Sequence, residues 1–423
     1  MRQALLKWGT LPNTWLYLLL AYPIIDYIMR KILPIPIVSS FWDDGLILVL
    51  LVFALIGFLQ GERKMPAIKH LLIAFLMYGL GLMMVDMVNL DASIEGFRSI
   101  YQYMLAFVIG FYLFQSKEQL TNMIRLLGVV GFIVGLIGVM QVVLGVETSL
   151  AWVNAGESTR TRAFSIVTSP NVLGSYMAFI TPVAMGLFLY TKQKKEKIWW
   201  LLVSLTTLAA LLFTASRGAW FAFAFVIFIG CWIWNRRLAI YLLILGIIGA
   251  VVLYYVPNLP LIGTVKDRLA TLFTVEYFQK SLQDGRLARW YEAYNKMRVD
   301  PLFGVGMGHH GGAVASRHFG TIYSDSYLFK SIAELGLLGV GLLISLIVLI
   351  IRYCFQVTTR MMKTPSFYIL LGISCGMLAV SLHNMVENIF EVPFMSLYFW
   401  LFGGFFCALH TRGDEENRRV DER

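Results

Sequence analysis

Long apolar runs separated by short polar joints make up most of this sequence, and that alternation leaves few folds open. Runs of spanning length fall at about 13–32, 41–59, 68–88, 98–114, 125–145, 171–190, 198–214, 218–234, 237–255, 326–351, 367–386 and 391–410. A bilayer core about 30 Å thick takes about 20 apolar helical residues to cross. Inside it every backbone polar group must be satisfied within the fold, which favours helices. The chain is therefore expected to be all-α, a polytopic membrane helix bundle of about twelve transmembrane helices. The fourth is expected to be short, and a tight turn to join the last two. Composition agrees: of 423 residues, 58% are hydrophobic and 14% charged, against about a quarter charged in soluble proteins. Cys231, Cys354, Cys375 and Cys407 lie in or beside apolar runs without metal-ligand spacing and read as small core residues. The first run contains Pro23 and Asp26 and lacks a small-residue cleavage site, so no cleavable signal peptide is expected.

Orientation follows from the basic residues in the joints. With the N-terminus cytoplasmic, the inner segments are the ends, GERKMPAIK, QSKEQLTNMIR, TKQKKEK, NRR and RYCFQVTTRMMK. They hold 20 of the 35 Lys and Arg residues. Outer joints such as DMVNLDASIEG and NIFEVP are poor in them. Both termini are thus expected inside, with residues 1–423 forming one integral membrane domain, 257–325 an extracytoplasmic lid loop containing amphipathic helices, and 411–423 a cytoplasmic tail. The net charge of +10 then needs no nucleic-acid partner. It does leave eight basic residues in the outer loop: Lys266, Arg268, Lys280, Arg286, Arg289, Lys296, Arg298 and Arg317. They either pair with the loop's acids (Asp267, Glu276, Asp284, Glu292, Asp300, Asp325) or bind an anion.

Within the loop, 286–299 has helical periodicity. Leu287, Trp290, Tyr291, Tyr294 and Met297 form one apolar stripe, with Arg286, Arg289 and Lys296 on an adjacent face. Such a helix suits the outer membrane surface or a lipid-facing cavity, or else a lid packed on the bundle. Asp300-Pro301 stops it, and the glycines of LFGVGMGHHGG allow a tight turn whose N–H groups could face phosphate. His309 and His310 sit on that turn.

Two further outer joints carry arginines. In GESTRTRAFSIVTSPNVLGSYMAF, Arg160 and Arg162 precede a helix start marked by Ser169 at the N-cap and Pro170 at the first helical position. In FTASRGAWFAF, Arg217 stands at a sharp turn between two apolar runs, where a charge must be paired, snorkel or face a cavity. If Arg162, Arg217 and Arg286 converge, their guanidinium forks suit phosphate oxygens. The intramembrane polar residues are Asp26, Lys330, Glu334, His383, Asn384 and Glu387. Lys330 and Glu334, one turn apart, can neutralise each other. His383 is either a general base or a polar residue satisfied between helices.

Taken together, RAF…SPNVLGSYM, TASRGAW between two spans, Arg286-x-x-x-Trp290 leading into PLFGVGMG, DSYLFKSIAELGLLG and NIFEVPFMSLYFWLFGG resemble the O-antigen ligase and polysaccharide polymerase superfamily over about 150–405. The resemblance implies a multi-spanning glycosyltransferase of the GT-C type in the cytoplasmic (inner) membrane, using neither cofactor nor metal. Its donor would be an undecaprenyl-pyrophosphate-linked glycan at the outer face and its acceptor another glycan or a lipid. Membrane lipids would surround it, and a chain-length regulator protein is a further partner compatible with the family. Arg217 matches the family's Ser-Arg-Gly arginine and Arg286 its loop arginine, both implied pyrophosphate ligands; Arg162 and Arg289 are candidates beside them. The ligases carry His-Asn just before the Tyr-Leu that opens span ten. Here YSDSYL places Ser324 at the His position and Asp325 beside it, so Asp325 is the first candidate for the base, with His310 and His383 behind it. The leading expectation is a polymerase of a cell-surface polysaccharide. The alternatives are a ligase that transfers the glycan to a lipid A core or another acceptor, and a flippase of lipid-linked oligosaccharide.

Overall fold

The structure, a computed structural model, describes residues 12–61, 63–149, 161–255 and 274–421. Arg160 and the first part of the outer loop, with Lys266, Asp267 and Arg268, lie outside the described residues.

The chain opens with helix over 12–20 and Tyr22–Tyr27 that ends in a π-turn at Ile28–Ile32. Here Arg30 reaches back to Asp26 at 2.6 Å. Helices α1 (Val38–Leu59) and α2 (Ile68–Val85) follow. The expected fourth span is divided into α3 (Leu90–Tyr101) and α4 (Leu105–Leu113). Next come α5 (Lys117–Val143), α6 (Pro170–Tyr190), α7 (Lys194–Phe213), α8 (Arg217–Trp234) and α9 (Arg236–Tyr255). The outer loop contributes α10 (Val275–Gln283), α11 (Arg286–Met297) and α12 (Ala313–Phe319). The chain closes with α13 (Tyr327–Arg360), α14 (Ser366–His383) and α15 (Pro393–Asp421). The tail expected from 411 therefore continues α15 as helix.

The molecule is an all-helical, multi-pass membrane protein. Among the described residues nine helices, rather than the expected twelve, are long and apolar enough to cross a membrane: α1, α2, α5, α6, α7, α8, α13, α14 and the Pro393–Gly413 part of α15. α6, α14 and α15 bury most of their surface and form the centre, whereas α1, α2 and α8 leave most of theirs open. Exposed Leu48, Val52 and Leu55 on α1 and Phe221 and Phe225 on α8 are what a lipid-facing rim requires. Cys354, Cys375 and Cys407 are buried, Cys231 partly so, and all four are free thiols.

One feature of α13 positions the outer loop. The helix is broken at Gly336, whose φ of 62° and ψ of −173° leave neighbouring peptide groups without helical partners. The Gly-rich turn supplies them. Val305 N–H donates to Ala333 O at 2.8 Å and Gly306 N–H to Glu334 O at 3.2 Å. In return, Leu337 N–H donates to Pro301 O at 2.8 Å and Leu338 N–H to Leu302 O at 3.3 Å. The N–H groups of Val305 and Gly306, expected from the sequence to face phosphate, are thus committed to stitching the loop into the break. A dry backbone group left without a partner costs several kcal/mol in lipid, which explains why the turn and the break occur together.

Candidate functional site

Four junctions between helices meet at one end of the bundle: the segment before α6, the α7–α8 turn, the entry to α13 and the α14–α15 turn. Ala163 N–H donates to Phe213 O at 2.9 Å, tying the first junction to the second. Tyr327 N–H donates to Asn384 O at 3.0 Å and Ser326 Oγ to Met385 O at 2.8 Å, tying the third to the fourth. Ser169 caps α6 through Val172 N–H and Pro170 is its first residue, as expected from SPN. Backbone strain gathers here too. Ser165, Thr168, Ala215 and Asp325 all have positive φ without being glycine, a conformation that costs on the order of 1–3 kcal/mol per residue and clusters at functional sites.

Arg162 enters from inside the fold. It is buried, with Nε donating to Thr214 O at 2.8 Å and Nη2 to Asn171 Oδ1 at 3.2 Å. Asn171 passes the connection on, its Nδ2 donating to Glu387 Oε2 at 2.5 Å. The same Glu387 oxygen lies 3.6 Å from Arg286 Nη2. A continuous polar chain thus runs Arg162–Asn171–Glu387–Arg286, joining residues more than 200 apart in sequence. Arg217, at the first position of α8, donates to Tyr277 Oη at 3.1 Å and lies 4.8 Å over that ring, so α10 covers it. Its neighbour Gly218 packs on His383, where an added Cβ would stand 2.9 Å from the imidazole. Only glycine allows the end of α14 to approach α8 this closely.

α11 forms the roof. The sequence predicts one apolar stripe, but the structure divides it. Ala293 and Met297 are buried and Trp290 stacks on Phe329 of α13 with ring centroids 5.0 Å apart, while Tyr291 and Tyr294 face outward. Docking on the first turn of α13 selects the i, i+3, i+7 face and leaves the tyrosines unburied. That register turns Arg286 toward Glu387 and Arg289 toward Asp325, with which it forms an ion pair. Arg317 pairs instead with Glu95 on α3, at 2.5 Å. The loop arginines are therefore largely paired, though two of their three acids lie outside the loop.

The candidate bases occupy different surroundings. Asp325 is held by Arg289. His383 is buried at the end of α14 and its Nδ1 has no hydrogen-bond partner among the described residues. His310 is also buried, with neither ring nitrogen partnered among them, and burial lowers its pKa. Its backbone N–H donates to Glu334 Oε1 at 3.2 Å. Glu334 accepts from Lys330 Nζ at 2.6 Å, as their spacing suggested, and Lys330 also reaches Glu391 at 3.3 Å. His309 lies farther out, 3.2 Å from Asp86. Arg162, Arg217, Arg286, Arg289, Asp325 and His383 therefore share one neighbourhood, whereas His310 belongs to the buried Lys330 cluster behind the first turns of α13.

Two members of the cluster carried no assigned role in the sequence. Glu387 stood out only as a polar residue at the end of span eleven, and Asn171 only as a letter in SPNVLGSYM. Burial raises the Glu387 carboxyl, Arg286 opposes that and Asp325 adds to it, with the result near 7. A carboxyl poised near neutrality beside Arg286, and joined to Arg162 through Asn171, is a group able to exchange protons. Among the described residues no group of three or more His, Cys, Asp or Glu side chains is placed to hold a metal ion.

No curated protein matches the chain. Residues 202–344, from within α7 into α13, match the family model described as O-antigen ligase, and that stretch contains Arg217, Arg286, Arg289 and Asp325. Over this third of the chain the match supports the resemblance to the O-antigen ligase and polysaccharide polymerase superfamily.

Proposed function

We propose that the protein is a glycosyltransferase that lengthens a cell-surface polysaccharide at the outer face of the cytoplasmic membrane, drawing on glycan linked to undecaprenyl pyrophosphate. The observation that carries this reading is the gathering of Arg162, Arg217, Arg286 and Arg289 around two carboxylates at one end of an apolar bundle. The leaving group is a lipid diphosphate, and guanidinium groups placed where its negative charge develops lower the barrier without a metal. Arg217, Arg286 and Arg289 face the diphosphate from the bundle and the roof. Arg162, buried behind them, fixes the rear wall through Asn171. Asp325, paired with Arg289 at the mouth of α13, orients the acceptor hydroxyl or takes its proton.

The test is reconstitution of the full chain in liposomes with a lipid-diphosphate-linked repeat unit as sole substrate. A ladder of longer glycans on one lipid supports polymerisation. Transfer only to an added lipid A core or other acceptor replaces it with ligation. Movement of the donor across the bilayer without lengthening or transfer overturns the enzyme reading in favour of a flippase. Asp325→Asn at full turnover would remove Asp325 as the base.

A further inference from the structure

We propose that Glu387 is a further catalytic residue of this site, a base whose carboxylate shares Arg286 with the donor diphosphate and gains basicity when the diphosphate takes that arginine. The inference rests on the glycosyltransferase reading above.

The geometry provides the exchange. Arg286 is 3.6 Å from Glu387 Oε2 and its side chain is 32% exposed, so an incoming anion can reach it; Glu387 is 14% exposed. A diphosphate offers several oxygens and more than one charge to a guanidinium fork, against the single charge of the carboxylate. Asn171 stays bonded to Oε2 at 2.5 Å and the Asn388 N–H also bonds the carboxylate, which together anchor it, with Oε1 the oxygen assigned to the acceptor hydroxyl. Losing a cation and gaining a neighbouring anion both raise a carboxylate's proton affinity. The basicity therefore rises only when donor is bound, which protects the reactive state.

Other candidates are worse placed. Asp325, closely paired with Arg289 and lacking, among the described residues, an anchor such as Asn171 gives Glu387, keeps the role of orienting the acceptor, and His310 is enclosed with Lys330 and Glu334. His383 packs against Gly218 beneath the α8 turn. The charged and titratable groups that face Glu387 are Arg286 from α11, Asp325 from the entry to α13 and Arg162 through Asn171 from the α6 side, with His383 of α14 near Arg286.

The step balances. The acceptor's O–H proton passes to Glu387 Oε1 as its oxygen bonds to the anomeric carbon from the face opposite the diphosphate. The anomeric C–O bond breaks, and its electron pair leaves on the diphosphate, where the arginines receive the charge. The proton on Glu387 returns to solvent once the diphosphate departs.

The test uses full-length protein in liposomes with a synthetic polyprenyl-diphosphate glycan, following donor binding and transfer from pH 5 to 9. Wild-type kcat should fall about tenfold per pH unit on the acid side, as for a single essential base. Glu387→Gln should bind donor within about threefold of wild type, lose 10²- to 10⁴-fold in kcat and lack that acid limb. Glu387→Asp should recover part of the rate together with the limb. A Gln variant that transfers at the wild-type rate overturns the proposal, as does one that loses donor binding in proportion to rate. If that variant does not insert, a flat wild-type acid limb overturns it instead. Failure of the wild type to transfer at any pH refutes the glycosyltransferase reading itself, a separate outcome.

Discussion

Replacing Lys330 with methionine is expected to destabilise the bundle by about 3–5 kcal/mol, the usual cost of breaking a buried ion pair from one side. Lys330, Glu334 and Glu391 are almost fully enclosed, with side-chain exposures of 1%, 0% and 10%. Their N–O separations are 2.6 and 3.3 Å. At an effective dielectric of about 20 these correspond to about 6 and about 5 kcal/mol of attraction, offset in the intact fold by desolvation of three charges and repulsion between the two acids. Methionine keeps the volume and removes the cation, leaving both carboxylates buried without it. The effect should spread, because Glu334 also holds His310 N–H and Glu391 accepts from Ala313 N–H and Asn388. The assay is reversible unfolding of the purified protein in mixed micelles, comparing Lys330→Met with a variant that also carries Glu334→Gln and Glu391→Gln. The charge-free triple variant should recover at least half of the loss, since a network neutralised as a whole leaves no buried charge. A single variant within about 1 kcal/mol of wild type would refute the argument, and so would a triple variant worse than the single one.

Other outcomes follow from the same geometry. Arg217→Ala and Arg286→Ala should each abolish transfer while membrane insertion, read by protease protection, is unchanged; Arg286→Lys should rescue only partly because an ammonium cannot engage two oxygens in a fork. The raised Glu387 carboxyl binds its proton more readily folded than unfolded, so its stability contribution is present at low pH and is lost as pH climbs from its ordinary 4.5 to about 7. At about 1.36 kcal/mol per pH unit, the stability of Glu387→Gln relative to wild type should improve by about 3 kcal/mol between pH 4.5 and pH 8 in unfolding titrations. Gly304→Ala should cost about 2–4 kcal/mol, because φ is +74° and the new Cβ would meet Ala333 O at 2.5 Å and Gly336 N at 2.6 Å; an unchanged unfolding midpoint would contradict the stitching of the loop into α13.

What the sequence determined by itself is whatever local periodicity and the bilayer enforce. Apolar length placed the helices, since crossing a membrane needs a fixed rise, and Ser169-Pro170 marked the start of α6. The pairing of Lys330 with Glu334 was legible because residues four apart share a helix face. The superfamily likeness was legible for a similar reason: short motifs at helix ends keep their order along the chain. Contacts between distant segments were not. Nothing local tells Asn171 that it will bond Glu387, or Arg289 that it will meet Asp325, because those pairs exist only after α6, α11, α13 and α14 have packed. The stripe on 286–299 was read as one face, yet docking against Phe329 split it, and tertiary burial decided which of its apolar residues turned inward. The glycines of the loop showed that a tight turn was needed there. Only the break at Gly336 showed that its N–H groups would complete another helix. Helix positions are fixed by interactions within a few residues, whereas the site is fixed by which helix ends arrive together.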